Sequence, residues 1–155
     1  MLFRSAKDGM DEVGAAAERV AEAADAARRP TAPLVLTARA ENHIRGVDDL
    51  DDTIARLVAY RDAGADAVYA PGLTDLGQIA QVVAAVQIPV NVLVLPGGPT
   101  VAELAKVGVR RVSTGSLLAS RSYGALVEAA TTLITDGTAP PSSDLVSRET
   151  LRAAF

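Results

Sequence analysis

At 155 residues, 49% apolar and 22% charged, the chain has enough material for one packed core and no compositional mark of disorder. A net charge of −4 leaves no basic excess of the kind that binds nucleic acid or an anionic membrane, so neither is an expected partner. The absence of cysteine excludes disulfides, thiolate metal sites and a cysteine nucleophile within the chain. No apolar run approaches the ~20 residues of a membrane helix, and residues 1–10 have no apolar core, so a cytoplasmic location is expected.

Residues 11–29 form an alanine-rich helical pattern, with Val13, Ala17, Val20 and Ala24 on one side. It reads as the helix of a preceding βα unit. Four short apolar runs follow: residues 33–38 (PLVLTA), 66–70 (DAVYA), 88–94 (IPVNVLV) and 109–114 (VRRVST). Each is rich in β-branched residues and bounded by glycine, proline or polar groups, which are strand signals. Three are nearly continuously apolar, as when both faces of a parallel strand are covered.

Between the strands lie helical patterns. Residues 49–63 set Leu50, Ile54, Leu57 and Val58 on one stripe, and residues 74–86 do the same with Leu76, Ile79, Val82, Val83 and Val86. Residues 100–107 open with Thr100 and Glu103 at the spacing of a capping box. Residues 116–136 are the longest pattern. Gly64 and Gly108 each stand between a helix and the next strand, where a left-handed residue closes a helix. Residues 138–143 (TAPPSS) are a loop, and 144–154 a short terminal helix carrying Leu145 and Leu151. The expected organisation is therefore one βα array over residues 1–137 and a loop and short helix over 138–155.

Alternating strands and helices predict an α/β fold of parallel βα units with right-handed crossovers. Two architectures fit: an open doubly wound sheet, and a TIM (β/α)8 barrel. The barrel takes about 250 residues, so four units are half of one.

In such folds, ligand-binding side chains sit at the C-terminal ends of the strands. After the first strand come Arg39, Glu41 and His43. An arginine there presents a planar, bidentate cation to a carboxylate or phosphate, or else pairs with Glu41 at the surface. Glu41 is a candidate base or an orienter of Arg39. His43, the only histidine, carries less weight, since a loop histidine is more often solvated than catalytic. Tyr69-Ala70-Pro71-Gly72 reads as a structural turn. Asn91 interrupts an apolar strand, and a buried amide must find partners, either neighbouring side chains or a substrate. Gly97-Gly98, between two prolines, is a weak anion-loop signal and reads as a plain loop. Thr114 and Ser116 could bind an oxyanion, but Ser116 fits better as an N-cap. Asp48, Asp49, Asp51 and Asp52 read as a solvated helix start matched to the helix dipole.

The order and spacing of these segments resemble the isocitrate lyase/phosphoenolpyruvate mutase family over about residues 11–137. The segments are the run from Pro33 through Arg39 to Glu41, the Asp-rich helix start with Ile54 and Arg56, Ala63-Gly64-Ala65-Asp66, Pro89-Val90-Asn91, Thr100 to Glu103, and Val109 to Ser113. The resemblance implies the C-terminal half of a barrel, strands five to eight. It implies a Mg²⁺-dependent enzyme acting on a small α-keto or dicarboxylic acid, making or breaking a C–C or C–P bond through an enolate-like intermediate. Arg39 falls on the family's strand-five arginine, which grips the acid, with Glu41 in the following segment. Asn91 falls on strand seven, and Thr114 and Ser116 on the end of strand eight.

The family's metal-binding carboxylates lie on strands two to four, which have no counterpart here, so Mg²⁺ is implied while its ligands are not. The glutamate that several lyases carry after strand six is replaced by Ala70-Pro71-Gly72, leaving decarboxylase, hydrolase and mutase open. The expected partners are a small carboxylic acid and either further copies of the chain or a missing N-terminal half. The resemblance also implies exchange of the last helix between subunits, which Pro140-Pro141 would permit. Independent catalysis is not expected. The alternative function is a non-catalytic half-barrel that assembles or binds small acids. A third reading is an open-sheet enzyme binding phosphate at Gly97-Gly98.

Overall fold

The computed structural model describes residues 9–28, 33–141 and 145–154. Arg29, at the end of the first predicted helix, and residues 142–144, where the last loop meets the last helix, lie outside them. The described residues form two compact units, one running to Thr114 and the other starting at Gly115.

The first unit is the βα array. Helix α1 (Val13–Ala27) precedes β1 (Thr37–Arg39), α2 (Leu50–Asp62), β2 (Ala67–Tyr69), α3 (Leu76–Val86), β3 (Val90–Leu93), α4 (Val101–Lys106) and β4 (Arg111–Ser113). The strands make one parallel sheet in the order β1-β2-β3-β4. The parallel α/β expectation therefore holds. The strands are shorter than the apolar runs; Pro33 and Pro89 have no N–H to donate to a ladder, although the Pro89 carbonyl accepts from the Val68 N–H at 3.0 Å.

Chain chemistry explains where each element begins. The Asp49 carboxylate accepts from the Asp52 N–H to open α2, and Asp75 accepts from Gln78 to open α3. The predicted capping box on α4 is complete: the Thr100 hydroxyl accepts from the Glu103 N–H, and Glu103 reaches back to the Thr100 N–H. These bonds hold the Glu103 carboxyl below the usual carboxylate range. Gly64 and Gly108 are left-handed, as expected, at φ +99° and +90°. Gln87 ends α3 at φ +54° without being glycine. A Cβ on Gly108 would lie 2.9 Å from Val83 Cγ1. Gly108→Ala is expected to lower stability by about 1–2 kcal/mol, read as a lower urea midpoint with an unchanged m-value.

Helix-facing side chains build the core. Leu57, Ile79, Val82, Val86 and Leu104 pack with Val68 of β2 and Val90 and Val92 of β3. In register, Ala38 pairs with Val68 and Val68 with Val90, so these residues share one face of the sheet. The opposite face is left for polar side chains.

The second unit holds α5 (Leu117–Asp136) and α6 (Arg148–Ala154). Neither buries a residue. Leu118, Leu126, Val127 and Ile134 of α5 are exposed. Ser116 stands at the N-cap position of α5, but its side chain makes no capping hydrogen bond.

Candidate functional site

Parallel register places Arg39 beside Tyr69, Tyr69 beside Asn91, and Asn91 beside Arg111. Residues directly paired across strands project to the same side. The four side chains therefore form one row across the whole sheet, opposite the helix-packed face; Arg39 and Tyr69 are the last residues of β1 and β2, Asn91 is the second of β3 and Arg111 the first of β4. Two members of the row, Arg39 and Asn91, were expected from the sequence, on strands that are not adjacent.

Arg39 is held in place on two sides. Its guanidinium carbon lies 5.3 Å from the Tyr69 ring centroid, in cation–π contact. One terminal nitrogen lies 3.3 Å from Glu41 Oε1. Its Nε is buried with no hydrogen-bond partner among the described residues. A buried donor left without an acceptor costs about 1–3 kcal/mol, and more when it is charged; an oxyanion arriving there would remove that cost. Burial raises the Tyr69 phenol above its usual value, and the charge on Arg39 opposes it. Tyr69 at neutral pH is thus a neutral ring under a cation.

Glu41 also accepts two bonds from Arg45, at 3.2 and 3.1 Å. The Glu41 carboxylate is thus shared between two guanidinium groups. Its geometry is that of an orienter for Arg39.

Asn91 is 2% exposed, and both ends of its amide are engaged. Arg111 donates to Oδ1 at 2.7 Å, and Nδ2 donates to Ser113 Oγ at 3.0 Å. Arg111 thereby fixes which way the amide points. Sequence reading passed over Arg111. The available signal was alternation, since Arg111 and Ser113 are two apart and share a face.

His43 lies away from the row, in a 3-10 turn over His43–Arg45. Its side chain is 7% exposed, so it is not the solvated loop residue expected. Nε2 lies 3.3 Å from Thr53 Oγ1, and Nδ1 lies 3.3 Å from Asp48 Oδ1. The ring ties the loop after β1 to α2. Thr114 follows β4 at the end of the first unit, half-buried, and Ser116 belongs to the second unit. Gly97-Gly98 is a turn in which the Gly98 N–H donates to Leu95 O at 3.0 Å, consistent with a plain loop.

A second polar cluster ties the loop after β1 and the segment before α1 to α2. Asn42 is fully buried and donates to Asp52 Oδ2 at 2.6 Å. Arg56, 8% exposed, donates to the same oxygen at 2.6 Å and to Asp11 O at 2.6 Å. Asp11 in turn pairs with Arg19. The Arg56 hydrogen bond, joined by that of Asn42, holds the Asp52 carboxyl below the usual range against opposing burial. The reading of residues 48–52 as a solvated helix start is therefore corrected in part. Asp49 caps and Asp51 is exposed, but Asp52 belongs to this internal network because Asn42 and Arg56 bring it their donors.

Residues 4–134 match the family model described as phosphoenolpyruvate phosphomutase. The chain belongs to the phosphoenolpyruvate phosphomutase family. It is similar to a Burkholderia cenocepacia J2315 protein named as a lyase/mutase, at 49% identity and a TM-score of 0.81, over 94% of this chain and 53% of that one. It is 41% identical to an uncharacterized protein of Mycobacterium tuberculosis (strain H37Rv) over 61% of this chain and 36% of the other. It is also 37% identical to an oxaloacetate decarboxylase of Ectopseudomonas mendocina (strain ymp), over 45% of this chain and 25% of that protein. The chain thus spans about half the length of the first relative and less of the other two. The family expectation from the sequence is borne out.

Family likeness brings Mg²⁺ into consideration, and the donor set can be tested against it. No group of three or more His, Asp or Glu side chains among the described residues is placed to hold a metal ion. The carboxylate nearest the row, Glu41, is taken by Arg39 and Arg45. The residues described here do not make a phosphomutase-family magnesium site, and no chemistry is assigned to one.

Proposed function

We propose that this chain supplies the acid-gripping wall of a family enzyme acting on a small α-keto or dicarboxylic acid. The observation that supports this reading is the row across the sheet, with an arginine whose buried Nε lacks an acceptor among the described residues. Arg39 presents a fork of N–H donors to a carboxylate, Tyr69 and Glu41 hold the fork in orientation, and Asn91, set by Arg111, supplies a neutral amide further along. The oxaloacetate decarboxylase among the relatives fits this class of substrate.

The reaction class is the family's, cleavage or formation of a C–C or C–P bond beside a carboxylate. The described residues contribute binding and orientation to it: a cation that favours charge developing on the acid, and no free general base. Catalysis then requires donors beyond those described, including any that hold Mg²⁺. The chain by itself binds without turning over.

Two measurements on the purified chain test this together. Calorimetric titration with oxalate should show saturable heat. An assay for pyruvate released from oxaloacetate with Mg²⁺ present should not exceed the spontaneous rate. Absence of binding up to about 10 mM, an affinity too weak to matter at about −3 kcal/mol, would remove the acid-gripping role. Turnover above background would place the missing catalytic groups inside this chain.

A further inference from the structure

Glu41 orients Arg39 only as well as its own backbone is fixed. Their ion pair is 3.3 Å long and joins side chains that both keep some solvent contact. Such a pair holds little by itself. The Tyr69 ring under the guanidinium sets its height but not its rotation, because the ring face attracts a cation in any in-plane orientation. The rotation that aims the N–H fork therefore depends on Glu41, and Glu41 depends on what anchors the turn after β1.

The next residue supplies the anchor. Asn42 is fully buried. Its side chain turns away from the arginines to α2, where Nδ2 donates to Asp52 Oδ2 at 2.6 Å. A hydrogen bond to a carboxylate is shorter and stronger than one between neutral groups. The Asn42 carbonyl accepts from the N–H groups of Arg45 and Val47, each at 3.0 Å, so the turn winds around this residue. The same Asp52 oxygen accepts from Arg56 Nε, and α2 is seated in the core through Leu57 and Tyr60. His43 also meets α2, at Thr53, but it stands beyond Asn42, one residue further from Glu41.

We propose that Asn42 is a positioning residue of the acid site: its bond to Asp52 fixes the Glu41 backbone, and Glu41 in turn sets the rotation of the Arg39 guanidinium. Asn42 touches no ligand itself. It transmits the rigidity of α2, a packed helix, to a cation on the far side of a turn, and so keeps the donors of Arg39 aimed before a ligand arrives. The effect on binding rests on the acid-gripping reading; the effect on Arg39 in the ligand-free chain does not.

The test reads Arg39 in the 155-residue chain, with and without oxalate. In the free wild type, ¹⁵N relaxation of the Arg39 Nε–H should match that of the ordered backbone. In Asn42→Ala, which leaves Asp52 its bond to Arg56, it should show added motion on the nanosecond scale. Calorimetry should show oxalate affinity lowered about tenfold, within the range of coupling inside one hydrogen-bond network. Asn42→Asp, which keeps the size of the side chain and loses the donor, should behave as Asn42→Ala does. Adding Asp52→Asn to it exchanges donor and acceptor across the same bond and should restore both readings. Should one single variant not fold, the other decides. A purely structural role would lower the urea midpoint while leaving Arg39 as ordered, and oxalate as tightly bound, as in the wild type. That result would overturn the proposal, as would an exchanged pair that restores neither reading. Absence of oxalate binding by the wild type would instead remove the acid-gripping reading, and the relaxation of Arg39 would then decide the role of Asn42.

Discussion

Arg39→Ala is expected to weaken oxalate binding by about tenfold to a hundredfold, the range spanned by losing a charge-assisted hydrogen bond. The expectation rests on two features of the site. Arg39 Nε is buried and has no partner among the described residues, so a bound anion gains a hydrogen bond that none of those residues is using. The guanidinium is already oriented by Tyr69 and Glu41, so little side-chain entropy remains to be lost on binding. Arg39→Lys should recover little of the affinity, because an ammonium cannot offer two parallel N–H groups in one plane. Tyr69→Phe should bind within about threefold of wild type, since the ring face that meets the cation is retained. Calorimetric titration of the three variants separates these effects. Equal binding by Arg39→Ala and wild type would remove Arg39 from the ligand site.

The largest effect on stability is expected at Arg56. Its side chain donates to Asp52 and to the Asp11 backbone carbonyl, and it is 8% exposed. Arg56→Ala leaves the Asp52 carboxylate without its cation and an internal carbonyl without its donor. A loss of about 2–4 kcal/mol is expected in urea unfolding, below the cost of breaking a fully buried pair because Asp52 retains some solvent contact. The cluster also gives a pH dependence. The folded protein holds the Asp52 pKa below its usual value. Its contribution is therefore complete above the unfolded-state pKa and disappears as pH falls through the lowered, folded-state value. The stability difference between wild type and Asp52→Asn should be steady near neutrality and shrink below about pH 4. A difference that grows on acidification would mean that Asp52 is not stabilised as a carboxylate.

Local features of this fold were readable because they are written locally. The β-branched runs around Val68 and Val92 became strands, and the stripe through Ile79, Val82 and Val86 became the buried face of α3. The Thr100–Glu103 box needs only its own spacing to form. Gly64 and Gly108 could be placed because a left-handed helix end strongly favours glycine. Gln87 adopts the same conformation without such a residue, and nothing in the chain announced it.

The site was legible in its parts. Arg39 and Asn91 stood out as polar groups on apolar strands. Their joining into one row through Tyr69 and Arg111 depends on register between residues 20 or more apart in sequence, which periodicity does not encode. The same holds for Asp52. Beside Asp49 and Asp51 it looks like dipole matching, and only the fold brings Asn42 and Arg56 to it. Ser116 shows the reverse case. A residue type that favours capping occupies the cap position, yet its hydroxyl makes no cap bond there.

The most direct test of the acid-gripping row is a ¹H–¹⁵N correlation spectrum of the arginine side chains during an oxalate titration. The Arg39 Nε–H, assigned by its loss in Arg39→Lys, should move and saturate with the affinity found by calorimetry, while the Arg56 Nε–H, bonded to Asp52, should stay in place. Saturable shifts confined to other arginines, with the Arg39 signal unmoved, would show that the row does not hold the acid.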